Sequence, residues 1–163
     1  MEVKNITIAY EAYTGIDELS AQDKQLCLEA VKAMETSYSP YSKFRVGAAV
    51  LLSNKQIVRG SNQENAAYPS GLCAERVALF AAGANFPNEE IVTIAVTAST
   101  QEFQLLRPVT SCGPCLQVMA EYEQKQDKPI EVLLYCIGGE VWKVKGVNSF
   151  LPMMFFEKRL GKG

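Results

Sequence analysis

The sequence predicts an α/β protein of three layers, α/β/α, with a mixed five-stranded sheet covered by helices on both faces. Three observations lead there. Helical and strand-like segments alternate through the middle of the chain, which requires crossover connections and a partly parallel sheet. Two short turns, Asn54-Lys55 and Gly138-Gly139, each join two β-prone runs and add antiparallel hairpins. Apolar residues make up 48% and charged residues 21% of the 163, a globular balance with enough material for a buried core.

The reading places residues 1–163 in a single domain, with 1–18 as an N-terminal arm of unassigned role. Within it, Ile6-Thr7-Ile8-Ala9-Tyr10 has the composition of an extended segment without an evident pairing partner. Ser20 followed by Asp23 reads as a helix N-cap. Leu26, Ala30, Val31 and Met34 then share one helical face. Ser39-Pro40 favours extended backbone, so this helix ends near Ser37. Residues 44–52 and 56–60 form the first hairpin. A loop carrying Asn62, Glu64, Asn65 and Tyr68 leads to a second helix over 71–84. Residues 91–98 read as a buried strand, and Pro114 opens a third helix that runs to about Tyr122, its missing N–H costing nothing in the first turn. Residues 132–137 and 141–147 complete the second hairpin. The tail, Phe150-Leu151-Pro152-Met153-Met154-Phe155-Phe156, is unusually apolar.

Charge and composition exclude several classes. A net charge of −2 without a basic block argues against a nucleic acid polymer as partner. No apolar run is long enough to cross a bilayer, so no membrane is expected. Met1-Glu2-Val3-Lys4-Asn5 lacks the pattern of an export signal. Five cysteines are therefore expected in a reducing cytoplasm, as metal ligands or free thiols.

The chain has no histidine, so a transition-metal site must be built from sulfur and oxygen, and a serine triad lacks its base. Cys112 and Cys115 form a C-x-x-C, and Cys73 supplies a third thiolate. Three protein ligands with the fourth position left to water is the catalytic pattern for zinc, one ion per chain here. Glu75, two places after Cys73, is a carboxylate able to manage a proton without binding the metal. A Cys-x-Glu followed by C-x-x-C is the zinc-deaminase pattern, acting on an amino-substituted ring. Both segments open helices, where the positive end of the dipole and the cation of Arg76 offset the charge of three thiolates.

At these residues the chain resembles the cytidine deaminase family, in its small, homotetrameric, three-cysteine branch. The blocks that carry the likeness are 44–49 (Phe-Arg-Val-Gly-Ala-Ala), 62–69 (Asn-Gln-Glu-Asn-Ala-Ala-Tyr-Pro), 73–76 (Cys-Ala-Glu-Arg) and 112–117 (Cys-Gly-Pro-Cys-Leu-Gln). Leu151-Pro152-x-x-Phe155 is similar to the family's C-terminal block, and the likeness spans roughly 20–157. The resemblance implies Cys73, Cys112 and Cys115 as zinc ligands and Glu75 as the acid and base. It implies Phe44 against the pyrimidine, Asn62 and Glu64 on the ribose hydroxyls, and the Ala74 backbone at the base edge. Ala66, Tyr68 and Phe155 would reach a neighbouring subunit's pocket, giving a homotetramer with shared active sites. The implied fold is cytidine deaminase-like, and the implied activity is deamination of cytidine and deoxycytidine in pyrimidine salvage. Two positions depart from the family pattern. Leu116 stands where arginine is usual, and Ser111 precedes Cys112 while the proline is Pro114.

Plainer readings stand beside these. A closed structural zinc site would take Cys27 or Cys136 as a fourth ligand, and the C-x-x-C could be a redox pair, although that explains neither Cys73 nor Glu75. Phe44 could be ordinary core, Asn62 and Glu64 turn-forming polar groups, and Arg76 a solvent-facing cation. The functional alternatives are a deaminase of another cytosine nucleoside, of the blasticidin type, and a non-catalytic zinc-stabilised nucleoside-binding module.

Overall fold

A computed structural model describes residues 1–156. Residues 157–163, which the sequence reading includes in the same domain, lie outside the described residues. Among the described residues, six strands form one sheet: β1 (Glu11–Tyr13), β2 (Arg45–Leu52), β3 (Ile57–Ser61), β4 (Ile91–Ser99), β5 (Glu131–Tyr135) and β6 (Val141–Lys145). Their spatial order is β1-β6-β5-β4-β2-β3. Only β4 and β5 pair in parallel, with Thr93 opposite Glu131 and Thr97 opposite Tyr135; every other neighbouring pair is antiparallel.

The sheet therefore has six strands where five are expected. The additional strand comes from the N-terminal arm, at residues 11–13 and not at 6–10. It pairs with β6 through Glu11 opposite Lys143 and Tyr13 opposite Val141. Three residues carry too little periodicity to reveal themselves; the pairing partner defines them. The ring of Tyr10 then lies 5.3 Å from that of Trp142.

Three α-helices among the described residues cover the sheet: α1 (Ala21–Ala33), α2 (Ala74–Asn85) and α3 (Gly113–Gln126). The Ser20 hydroxyl accepts from the Asp23 N–H at 3.1 Å, the expected cap of α1. A single 3₁₀ turn follows before Ser37 takes extended backbone. The second helix opens three residues later than expected, because residues 68–70 form a separate 3₁₀ turn.

Alternation along the strands divides the core. Ala49, Leu51, Ala95, Leu133 and Tyr135 face Leu26, Cys27 and Ala30 of α1. Ala48, Val50, Ile94, Val96, Val132 and Leu134 face α2 and α3 on the other side. Helix α2 approaches the sheet closely at Gly60. A Cβ there would come within 2.6 Å of the Ala74 carbonyl and would also overlap the Ala78 backbone nitrogen. This contact sets the depth of the first turn of α2. The tail divides in the same way: Phe150, Leu151 and Met154 pack on the α2/α3 core, and Met153 and Phe155 remain exposed.

Candidate metal centre and nucleoside pocket

The openings of α2 and α3 lie side by side. Cys73 and Cys112 are the N-cap residues of these helices, both with extended backbone and neither using its side chain as a cap. Their thiols are thus free to point at one another. The Cys73 and Cys112 sulfurs are 3.8 Å apart, and Cys115, in the first turn of α3, places its sulfur 3.3 Å from that of Cys112. All three lie within 4.8 Å of one another. Tetrahedral zinc with Zn–S of about 2.3 Å separates its sulfurs by about 3.8 Å, so the donor set fits one zinc ion. Among the described residues, no fourth cysteine or carboxylate belongs to this cluster.

The electrostatics suit thiolate ligands. A hydrogen bond from Cys115, helped by Arg76, holds the Cys73 thiol down to about 5 despite partial burial. The proton that stabilises Cys73 stays on Cys115, whose own pKa is raised. Arg76 brings its guanidinium to 3.8 Å from the Cys73 sulfur. Arg76 Nε is buried without a hydrogen-bond partner beside the sulfur cluster, and the Ser111 hydroxyl faces the Glu75 carboxyl. An unsatisfied buried polar atom beside converging thiols fits a site that a bound group completes. Cys27 and Cys136, the other two thiols, are buried elsewhere; burial pushes Cys27 up to about 12. They behave as core thiols.

The cluster borders a cavity of about 780 Å³. Glu75 lines it and is only 4% exposed. Burial raises its carboxyl above the usual carboxylate range. Phe44, Asn62, Glu64 and Tyr68 line the same cavity, together with Cys73, Cys112 and Arg76. Ala74 is fully buried at the first position of α2. Ala66 and Phe155 are not among the walls. Tyr68 stands at this chain's own cavity, 78% exposed, with its ring edge-on to Tyr41 at 6.4 Å.

Asn62 is nearly saturated by its own chain. Its Oδ1 accepts from the Ser37 hydroxyl at 2.5 Å and the Val46 N–H at 2.8 Å, and its Nδ2 donates to the Phe44 carbonyl at 2.9 Å. One N–H is left for a ligand. Glu64 accepts from the Tyr41 and Ser42 backbone N–H groups, at 2.9 and 3.2 Å, and from the Ser42 hydroxyl. The Ser42 hydroxyl leads the bonds that hold its carboxyl below the usual range. Sequence reasoning missed Tyr41, Ser42, Val109 and Thr110, since loop residues show no periodicity and their roles arise from where the loops fold.

A model of the zinc-binding region of cytidine and deoxycytidylate deaminases matches residues 20–127. The chain belongs to the cytidine and deoxycytidylate deaminase family. It is 42% identical over 134 residues to the cytidine deaminase of Halalkalibacterium halodurans, covering 82% of this chain and 94% of that one. It is 43% identical over 99 residues to the cytidine deaminase of Sporosarcina psychrophila, covering 61% and 68%. Among solved structures, the cytidine deaminase of Burkholderia pseudomallei superposes with a TM-score of 0.70 at 36% identity, over 80% of this chain and 97% of that one. That of Mycobacterium tuberculosis gives 0.65 at 25%, over 85% and 100%. The matched region, 20–127, contains α1, α2, α3, β2, β3, β4 and the three clustered cysteines.

Proposed function

We propose that this protein deaminates cytidine and deoxycytidine by hydrolysis, releasing ammonia and the corresponding uridine nucleoside. One observation carries the reading: three converging thiols, two of them walls of a cavity, stand beside a buried carboxyl group, Glu75, that lines the same cavity. Zinc, when bound by Cys73, Cys112 and Cys115, supplies an activated water for attack on the amino-bearing ring carbon. Glu75 takes one proton of the attacking water and delivers it to the ring nitrogen, then carries the second from the added hydroxyl to the amino group, which leaves as ammonia while the carbonyl forms. Burial raises its carboxyl above the usual carboxylate range, so it takes up a proton more readily than an exposed carboxylate would. The Arg76 cation beside Cys73 offsets part of the thiolate charge.

Phe44 supports the pyrimidine ring, the free N–H of Asn62 and the carboxylate of Glu64 take the ribose hydroxyls, and the Ala74 backbone meets the base edge. The chain acts as a homotetramer in the cytoplasm, in pyrimidine salvage. The exposed Met153 and Phe155 are the surface such an assembly would cover, with Ala66 and Phe155 contributing across subunits and Tyr68 serving its own chain's pocket.

An ammonia-release assay with cytidine and deoxycytidine tests the chemistry on zinc-loaded protein. Tight nucleoside binding without ammonia would replace the enzyme by a binding module. Light scattering at micromolar concentration tests the assembly, and a fully active monomer would overturn it.

A further inference from the structure

The 13 residues between β4 and α3 (100–112) carry no helix or strand. A connection of this length inside a compact fold is usually functional. Near its end, Val109 and Thr110 line the cavity. Near its start, Phe103 lays its ring on that of Phe44, with centroids 6.3 Å apart and planes 27° from parallel. Phe103 is 58% exposed and is not itself a wall of the cavity. Its stacking partner is a wall.

The two parts of Phe44 are held differently. Its backbone is clamped: the N–H donates to the Ser42 hydroxyl at 3.0 Å, and the carbonyl accepts from Asn62. Neither bond sets the ring plane, which turns about the side-chain torsions. The stacked Phe103 ring restricts that rotation, because an offset parallel pair loses contact when either ring swings. A planar ligand in the cavity meets a face whose tilt a second ring has already set, and less ordering remains for binding.

We propose that Phe103 is a positioning residue that sets the aromatic wall for a planar nucleoside base, acting through Phe44. This rests on the nucleoside reading of the cavity. It assigns part of the base affinity to Phe103, which neither lines the cavity nor belongs to the sulfur cluster, and makes that part separable from the chemistry.

The test compares wild type, Phe103→Ala and Phe103→Tyr as zinc-loaded protein, with cytidine as the probe. Phe103→Ala is expected to raise KM about fivefold, the scale of one aromatic pair, with kcat within about twofold. Phe103→Tyr is expected to restore KM, and the thermal midpoints of all three are expected to coincide. An unchanged KM in Phe103→Ala overturns the proposal, as does a fall in kcat that tracks a lowered midpoint. Calorimetric titration with cytidine keeps the two readings distinct. If wild type releases no ammonia, the deaminase reading fails alone, and weaker cytidine binding by Phe103→Ala still supports the positioning role. Equal binding by wild type and Phe103→Ala overturns that role, and a wild type that binds no cytidine overturns both.

Discussion

Asn62 holds Phe44 across 18 positions of sequence, its side-chain amide donating to the Phe44 carbonyl at 2.9 Å. The same carboxamide accepts from Val46 N–H, so it ties the start of β2 to the end of β3. Asn62→Ala leaves that half-buried N–H without its partner. The expected loss is about 2 kcal/mol of stability, together with a raised KM for cytidine. Urea unfolding and steady-state kinetics check the two parts, and unchanged values in both would show that Asn62 is dispensable.

Glu75→Gln keeps the shape of the side chain and removes its proton chemistry. Zinc content and thermal midpoint are expected to stay near wild type while kcat falls by at least about 10²-fold. A mutant with wild-type turnover would take Glu75 out of the reaction.

Zinc joins the openings of two helices through cysteines 39 positions apart. Chelation is expected to lower the thermal midpoint by several degrees, since about 1 kcal/mol corresponds to about 2–4 °C in a chain of this size. Cys112→Ser is expected to lose the metal, and Cys27→Ser to retain about one zinc per chain. Metal analysis of the purified variants decides between them.

Acid stability depends on a different carboxylate. Lys32, at 2.8 Å, and Arg59 hold the buried Glu29 below the usual carboxylate range. A depressed pKa contributes stability that is complete above the unfolded value of about 4.3 and is lost as pH falls through the lower folded value. Glu29→Gln is therefore expected to cost about 1–2 kcal/mol at neutral pH, with the gap to wild type closing as the solution is acidified below about pH 4. A gap independent of pH would mean that the cost is packing, not charge.

At Gly60, an added methyl group meets backbone, which cannot rotate away. Gly60→Ala is expected to cost about 2–3 kcal/mol and to lower kcat further than the lost stability explains, because the displaced turn carries Cys73 and Glu75. Activity assayed at a temperature where the variant is fully folded separates the two effects.

Local chemistry made much of this protein legible from its sequence. The Ser20 cap, the three helices, both hairpins and the spacing of Cys73, Glu75, Cys112 and Cys115 depend on neighbours within a turn or a pleat, where side-chain type and backbone geometry are directly coupled. The apolar runs over 44–52 and 91–98 likewise read as strands of a sheet covered on both faces. Other features depended on segments distant in sequence. Strand β1 exists because β6 offers it an open edge. Ser42 meets Glu64, and Phe103 meets Phe44, because two irregular loops return to the same cavity. Tyr68 stands at its own chain's pocket for the same reason. Sequence alone determined which groups could bind a metal and move a proton, since that follows from residue type and short spacing. Only the tertiary structure decided which rings, hydroxyls and loop residues surround them, because long-range closure of the chain leaves no periodic trace.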